Sequence, residues 1–336
     1  MKKIAINGFG RIGRLAFRAL MGSDEFEVTA INDFSNPEEM AYLLKYDTIH
    51  RVWGEDNIDF TDEGILFDGE LTKCYCIKEP EKLPWRDLEI DCVLECSGAF
   101  TDLEKAMLHI DAGAKHVVIS APGKGKMKTI VYGVNDNTLD GTEKVISAAS
   151  CTTNCLGPVL KIIEDYIGIE SGFMTTVHAY TNDQMTLDGL HSKGIESRRG
   201  RAAAENIVPA STGAASAIGE VLPELKGKLD GTAFRVPVAD GSVIDLTLNV
   251  KRETNIEELN SIFALNANQI LKFTMDPVVS SDIIGNSCGA LIDGQCTSVL
   301  EDNKKLIKVV AWYDNEYGYT AQMLRTMEAL LEKDKN

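Results

Sequence analysis

The chain has 336 residues, 44% of them apolar and 25% charged, proportions that argue against long disorder, a collagen-like repeat or a small disulfide-stapled scaffold. At roughly 150 residues per domain, this length predicts about two domains. Asp and Glu total 51 against 34 Lys and Arg, giving a net charge of −17. Such a field repels nucleic-acid backbones and anionic membranes, so no specific nucleic acid and no membrane is expected as a partner, while a local basic pocket can still hold an anion.

The opening MKKIAINGFGRIGR lacks the apolar core and small-residue cleavage site of a signal peptide. No stretch reaches the roughly 18 apolar residues that span a bilayer. The eight cysteines, Cys74, Cys76, Cys92, Cys96, Cys151, Cys155, Cys288 and Cys296, are scattered, and no Cys/His set has zinc-ligand spacing. A chain of this size does not need disulfides. The expectation is reduced thiols, no metal and a cytoplasmic location.

Residues 3–7 form a short apolar run, read as a buried strand. Gly8, Gly10 and Gly13 follow in a G-x-G-x-x-G pattern, and residues 14–21 are helix formers. Residues 27–31 read as a second strand, and Asp33 stands 20 residues after the last glycine. The motif alone is weak, but between a strand and a helix, with that acidic residue in place, it predicts dinucleotide binding. Gly8 permits the tight turn, Gly10 lets backbone approach a pyrophosphate, and Gly13 lets helix and strand pack closely. The helix N-terminus adds free N–H groups for the anion. A carboxylate at Asp33 suits a ribose hydroxyl and repels a 2′-phosphate, which points to NAD; otherwise Asp33 is a strand-end turn residue.

Further apolar runs at 92–96, 117–120 and 130–132 fit the same sheet, and 103–112 reads as a helix. Alternating strand and helix implies a parallel, Rossmann-type sheet. Ligands bind beyond the carboxyl ends of such strands, where Ser97, Gly98 and Ser120 sit as candidate cofactor-pocket residues. The lysine-rich stretch 123–128 reads as a solvated basic loop.

Residues 145–149 read as a strand and 150–154 as a turn. Leu156, Val159, Leu160 and Ile163 then recur with the period of an amphipathic helix. Cys151 therefore falls at or just before a helix N-terminus, where the dipole favours thiolate over thiol. That is a position for a nucleophile, whereas Cys155, one turn on among apolar positions, reads as packing. Residues 173–180 are β-prone, and as a strand they put Thr176, His178 and Tyr180 on one face. His178 is the candidate base for Cys151. His50, His109, His116 and His191 sit in helical or loop contexts and read as surface or structural. Residues 186–201 show no helical or strand period. Ile244, Leu246, Leu248 and Val250 alternate with polar residues, the mark of a strand with one buried face in an antiparallel sheet. Residues 319–333 read as a helix with Met323, Met327 and Leu330 on one side.

NGFGRIGR (7–14), SCTTNC (150–155), TTVHAYTNDQ (175–184), RAAAENIVP (201–209), STGAA (211–215) and WYDNEYGYT (312–320) closely resemble the glyceraldehyde-3-phosphate dehydrogenase family, in order along nearly the whole chain. The resemblance implies a Rossmann-type NAD-binding domain over 1–150 and an α+β catalytic domain with a mainly antiparallel sheet over 151–316. A C-terminal helix over 317–336 would return to the first domain. It implies Cys151 as nucleophile and His178 as its base, in the phosphorylating oxidation of D-glyceraldehyde 3-phosphate to 1,3-bisphosphoglycerate through a thioester. Thr181, Arg199 and Arg235 match the family's site for the substrate phosphate. Ser150, Thr152, Thr212 and Gly213 match contacts to the attacking inorganic phosphate. Arg198 and Arg201 read as solvated. Arg-to-phosphate bonds are bidentate and directional, so Lys is a poor replacement at Arg235 or Arg199. Arg11 and Ile12 match pyrophosphate contacts, Lys78 and Ser120 pocket contacts, and Asn315 the residue bonding the nicotinamide carboxamide, for which an amide offers both donor and acceptor.

The 186–201 segment resembles the family's S-shaped loop, which lies against a neighbouring subunit, so a homotetramer is implied. Gly189-Leu190 stands where many NAD-preferring relatives have Leu-Pro, which bears on the strictness of NAD over NADP. Ala148 replaces a usual Asn and Gly157 a usual Ala; neither removes a named catalytic group. The rival readings are an erythrose-4-phosphate dehydrogenase, which favours water over phosphate, and a nucleotide-binding or surface-adhesion protein with incidental activity.

Overall fold

The computed structural model describes residues 1–334, which divide into two compact units: residues 1–132, 136–149 and 323–334, and residues 133–135 and 150–322. The first holds strands β1 (Lys2–Asn7), β2 (Phe26–Asn32), β3 (Ile58–Thr61), β4 (Gly64–Phe67), β5 (Glu70–Tyr75), β6 (Cys92–Glu95), β7 (His116–Ile119), β8 (Lys128–Thr129) and β9 (Val145–Ser147). Its helices are α1 (Arg11–Leu20), α2 (Pro37–Lys45) and α3 (Leu103–Asp111). One sheet contains all nine strands, in the order β3-β4-β5-β2-β1-β6-β7-β9-β8. Its central run, β5-β2-β1-β6-β7-β9, is parallel throughout and has the 3-2-1-4-5-6 order of a dinucleotide-binding sheet. β3 and β4 add an antiparallel edge. Ile4, Ala5, Ile6, Val93, Leu94, Val117, Val118 and Ile119 are fully buried. These strands therefore read as continuous apolar runs, as strands covered on both faces do.

Three local expectations for this unit need correction. The strand expected at 130–132 is instead β8 at Lys128–Thr129. Ile130 and Val131 are buried just past it, and the Ile130 N–H donates to Ser147 O. His116 opens β7 and is buried, with Nδ1 against Glu143 O. In the 123–128 loop, Lys124 and Lys126 are exposed, but Lys128 is tied to Thr138 O at 2.6 Å and to Glu143.

The second unit begins with α4 (Cys151–Tyr166). It continues with β10 (Ile169–Ala179), β11 (Val208–Ser211), α5 (Ala214–Val221), β12 (Leu229–Val236), β13 (Ser242–Val250), α6 (Ile256–Leu265), β14 (Leu271–Thr274), β15 (Ala290–Asp293), β16 (Ser298–Leu300) and β17 (Asn303–Tyr313). Its sheet runs β11-β12-β10-β13-β17-β15-β14, with β16 on β17. Pairing is antiparallel except for β10–β12 and β14–β15. Ile244, Leu246, Leu248 and Val250 on β13 are fully buried, the buried side of the period of two. α7 (Tyr317–Lys333) begins in this unit and ends in the first. Met323, Met327 and Leu330 are fully buried, each contributing about 1.5–3 kcal/mol. No helix among the described residues is long and apolar enough to cross a membrane.

Candidate active site

In the second unit, the Ser150 side chain caps α4 by accepting from the Thr153 N–H at 3.1 Å, which satisfies one of the helix's free donors. Cys151 is thereby fixed as the first residue of the helix. Leu156, Val159, Leu160 and Ile163 anchor the other face in the core, and α4 runs on through Pro158. Ala149, just upstream, has φ +59°. An alanine in that left-handed region is strained, and no residue type there signals it in the sequence.

β10 delivers His178, 3% exposed, with Nε2 3.4 Å from Cys151 Sγ. Thr176 shares its buried face, whereas Tyr180 lies beyond the strand's end. The Nδ1 atom lies 2.7 Å from Ala179 O. Arg235 Nη1, which can only donate, lies 3.1 Å from the same nitrogen, but the shorter contact is to the carbonyl, which can only accept; it places the proton on Nδ1 and leaves Nε2 facing the thiol as an acceptor. β12 pairs with β10 in parallel, with Arg235 directly opposite His178. Arg235 Nη1 donates to Ala179 O at 3.0 Å and Thr181 Oγ1 at 3.1 Å. The buried Nε of Arg235 has no hydrogen-bond partner among the described residues.

Burial pushes the His178 imidazole down to about 3, and the Arg235 charge adds to this. The same desolvation pushes the Cys151 thiol up, against the pull of Arg235. The helix N-terminus was expected to favour thiolate; in this structure desolvation outweighs it.

Arg199 does not stand free. It forms an ion pair with Asp183, whose other oxygen accepts from Thr181 Oγ at 2.6 Å. Burial raises the Asp183 carboxyl, but the Thr181 hydrogen bond and the Arg199 and Arg235 charges outweigh it and hold the group low. Thr181, Arg199 and Arg235 are thus gathered around one carboxylate. Thr152 Oγ1 joins Thr176 Oγ1 through the buried Tyr313 hydroxyl, at 2.9 and 2.8 Å. The Tyr313 ring meets the His178 ring edge-on at 5.9 Å. Sequence reasoning missed Tyr313, which sits in the WYDNEYGYT stretch, and Asp183, which sits in TTVHAYTNDQ. Thr212 and Gly213 lie at the start of α5, where Thr212 Oγ1 accepts from the Ala214 N–H at 3.2 Å. No hydrogen bond among the described residues links them to Cys151 or Arg235. Asn315 follows β17, is 5% exposed, and accepts from Ser242 Oγ at 2.6 Å.

In the first unit, the glycine motif connects β1 to α1. Gly8 has φ +93°, and a Cβ there would lie 2.5 Å from the Ser97 backbone; one on Gly13 would lie 2.1 Å from Gly8 O. Both positions are closed to side chains, while the space over Gly10 is open. A cavity of about 690 Å³ opens beside them, lined by Gly8, Gly10, Asp33, Lys78 and Ser97 among others. Asn32, Phe34, Ile77 and Phe100, which the sequence did not single out, also line it. The Asp33 carboxylate is oriented by the Phe9 N–H at 2.7 Å and the Ser35 N–H at 3.0 Å. Arg11 forms an ion pair with Asp47, and Arg11, Ile12, Gly13, Gly98 and Ser120 do not line the cavity. Gly98 has φ +72°, and the Ser120 N–H donates to Glu95 O. Size, glycine-bared backbone and an oriented carboxylate fit the adenosine side of a dinucleotide.

Two family models match the chain: the NAD binding domain of glyceraldehyde 3-phosphate dehydrogenase over residues 2–103 and its C-terminal domain over residues 150–315. The chain is also 53% identical, over 330 residues, to the glyceraldehyde-3-phosphate dehydrogenase of Clostridium pasteurianum, covering 98% of each chain. The chain belongs to the glyceraldehyde-3-phosphate dehydrogenase family. Family proteins of Clostridium acetobutylicum and Streptococcus pyogenes are 52% and 50% identical, with coverage of 97% of this chain and 98% and 97% of theirs. The first unit carries the family's NAD-binding sheet, and NAD is the cofactor of this chain.

Proposed function

We propose that the protein catalyses the NAD-dependent, phosphorylating oxidation of D-glyceraldehyde 3-phosphate to 1,3-bisphosphoglycerate. The observation that carries this is Cys151 Sγ 3.4 Å from the acceptor nitrogen of His178. His178 Nε2 takes the thiol proton as Sγ adds to the aldehyde carbon, and the proton passes to the aldehyde oxygen to give a hemithioacetal. Bound NAD supplies the hydride acceptor. The hemithioacetal hydroxyl proton returns to His178 as the carbon becomes a thioester. Inorganic phosphate then attacks the thioester and expels Cys151, which regains its proton from His178. The energy of oxidation is kept in the acyl phosphate.

Arg235, Thr181 and Arg199 are proposed to hold the substrate phosphate. What supports this is the unpartnered, buried Nε of Arg235, together with Thr181 and Arg199 on the Asp183 carboxylate and Arg235 on the Thr181 hydroxyl. The incoming anion takes over from Asp183. Ser150, Thr152, Thr212 and Gly213 are proposed for the attacking phosphate. Gly8, Gly10, Arg11, Ile12, Gly13, Asp33, Lys78, Ser97, Gly98, Ser120 and Asn315 are proposed for NAD. Domain limits at 1–150, 151–316 and 317–336, a cytoplasmic location and a homotetramer complete the reading. Leu187, Leu190 and Ile195 support the last: they are 76%, 97% and 88% exposed on the 186–201 segment, an apolar surface suited to a second copy of the chain.

The test is NADH absorbance on adding the triose phosphate and NAD, with and without inorganic phosphate, for the wild type and Cys151→Ser. Phosphate-dependent turnover lost in the variant is expected. Turnover indifferent to phosphate would move the reading to the hydrolytic erythrose-4-phosphate type. An active Cys151→Ser would sink the covalent mechanism.

A further inference from the structure

Ser242 opens β13 and is fully buried. Its Oγ accepts from the Ala179 N–H at 3.0 Å and lies 2.6 Å from Asn315 Oδ1. The backbone N–H fills one of the hydroxyl's two lone pairs, and among the described residues Asn315 is the one acceptor that the hydroxyl proton reaches. The amide atom that accepts it must be the oxygen. This fixes which way the Asn315 side chain is turned: Oδ1 inward on Ser242, Nδ2 on the other side. Nδ2 has no hydrogen-bond partner among the described residues.

Both ends of this link are held by backbone. Ala179 O, on the same residue whose N–H reaches Ser242, takes the His178 Nδ1 and Arg235 Nη1 protons. On the far side, Asp314 Oδ1 accepts from the Glu316 and Tyr317 N–H groups, at 2.9 and 2.7 Å, and Oδ2 from Gly285 N–H at 2.7 Å. The turn that carries Asn315 is therefore rigid. Within it, the freedom left to the Asn315 amide is a half-turn that exchanges O and N, and that half-turn is opposed because it would leave the buried Ser242 hydroxyl proton without an acceptor.

We propose that Ser242 is a positioning residue that locks the Asn315 amide with its NH2 group outward, so that the protein offers a hydrogen-bond donor to the carbonyl of the cofactor's carboxamide. The proposal rests on the reading of Asn315 as the carboxamide contact. It makes the site selective for a carboxamide oxygen over a weaker acceptor. Without the hydroxyl the amide is free to turn and the preference is lost.

The measurement is the dissociation constant, by titration calorimetry, of NAD and of thionicotinamide adenine dinucleotide, whose sulfur is a poor acceptor. Wild-type protein should bind NAD the more tightly, by roughly tenfold for one committed hydrogen bond. Ser242→Ala should bring the two constants together mainly by weakening NAD, and Ser242→Thr, which keeps a hydroxyl, should restore the gap. Should the alanine variant not fold, Ser242→Cys keeps the volume with a weak donor and should narrow the gap in the same way. A gap that survives in Ser242→Ala or Ser242→Cys, yet disappears in Asn315→Ala, overturns the proposal and leaves the role of Asn315 standing. A gap that survives in Asn315→Ala removes the underlying reading as well.

Discussion

His178, the proposed base, illustrates how much of a side chain's character comes from its neighbours. The imidazole is pushed down to about 3 by burial and by Arg235, so it is a neutral base throughout the physiological range. His178→Asn should lower kcat by about 10²–10⁴ while leaving the calorimetric affinity for NAD unchanged; a loss confined to NAD affinity would contradict its role as base. Arg235 acts on Cys151 in the opposite sense to burial, drawing the thiol down. Removing that cation in Arg235→Leu should therefore shift the pH profile of Cys151 alkylation by iodoacetamide to higher pH. An unmoved or acid-shifted profile would mean that Arg235 does not sense the thiol. Neither effect was visible in the sequence: His178 and Arg235 are 57 residues apart, and only the register of two paired strands sets them opposite each other.

At the scale of elements, the β1–α1 turn and the α1–Asp47 contact carry separate predictions. Gly8 adopts φ +93° with the Ser97 backbone 2.5 Å from where a Cβ would stand, so Gly8→Ala faces both backbone strain and a clash that no side chain can relieve. A loss of at least about 2 kcal/mol is expected in denaturant unfolding of the first unit's sheet, together with loss of NAD binding; an unchanged midpoint would show that the turn can relax. Asp47 accepts from Arg11 and from the His50 and Ile49 N–H groups. Burial opposes its charge, but these bonds win and bring the carboxyl to about 2, from 3.8. A lowered carboxyl contributes stability above its ordinary value, and that stability is lost as pH falls from about 4 towards 2. Asp47→Asn should remove about 1 kcal/mol at pH 7, after allowing for solvent screening, and flatten the acid limb of the stability curve. A variant that keeps the wild-type acid limb would dismiss the pair as a source of stability. The same pair bears on the cofactor, since an Arg11 engaged by Asp47 has to share its guanidinium with any pyrophosphate it meets.

For the whole molecule, the charge of −17 and the two units set different limits. The charge disfavours polyanion partners and requires that any phosphate group be held in a local cationic site, the role proposed for Arg199 and Arg235. Each unit builds its own sheet, parallel in one and mainly antiparallel in the other. The proposed tetramer predicts a sedimentation mass four times the 36.8 kDa of one chain, and Leu190→Asp on the exposed segment should reduce it. A wild-type protein sedimenting at the single-chain mass would dismiss the assembly.

The sequence by itself determined the βαβ order of the first unit, the glycine turn, the Cys151 helix start, the β10 and β13 strands and the apolar stripe of α7. Each depends on interactions within a few residues: a period of two or 3.6, a cap, or a turn that only glycine tolerates. The motif resemblance reached further, naming Arg235 and Asn315 where spacing was silent. Tertiary structure alone decided that Arg199 is held by Asp183, that Arg11 is held by Asp47, that Tyr313 bridges Thr152 and Thr176, and that Ser242 commits the Asn315 amide. It also decided that burial pushes the Cys151 thiol up, against the pull of Arg235. These are contacts between residues far apart in the chain, and their energies depend on burial and on which donor faces which acceptor. Neither quantity is defined until the strands have found their register.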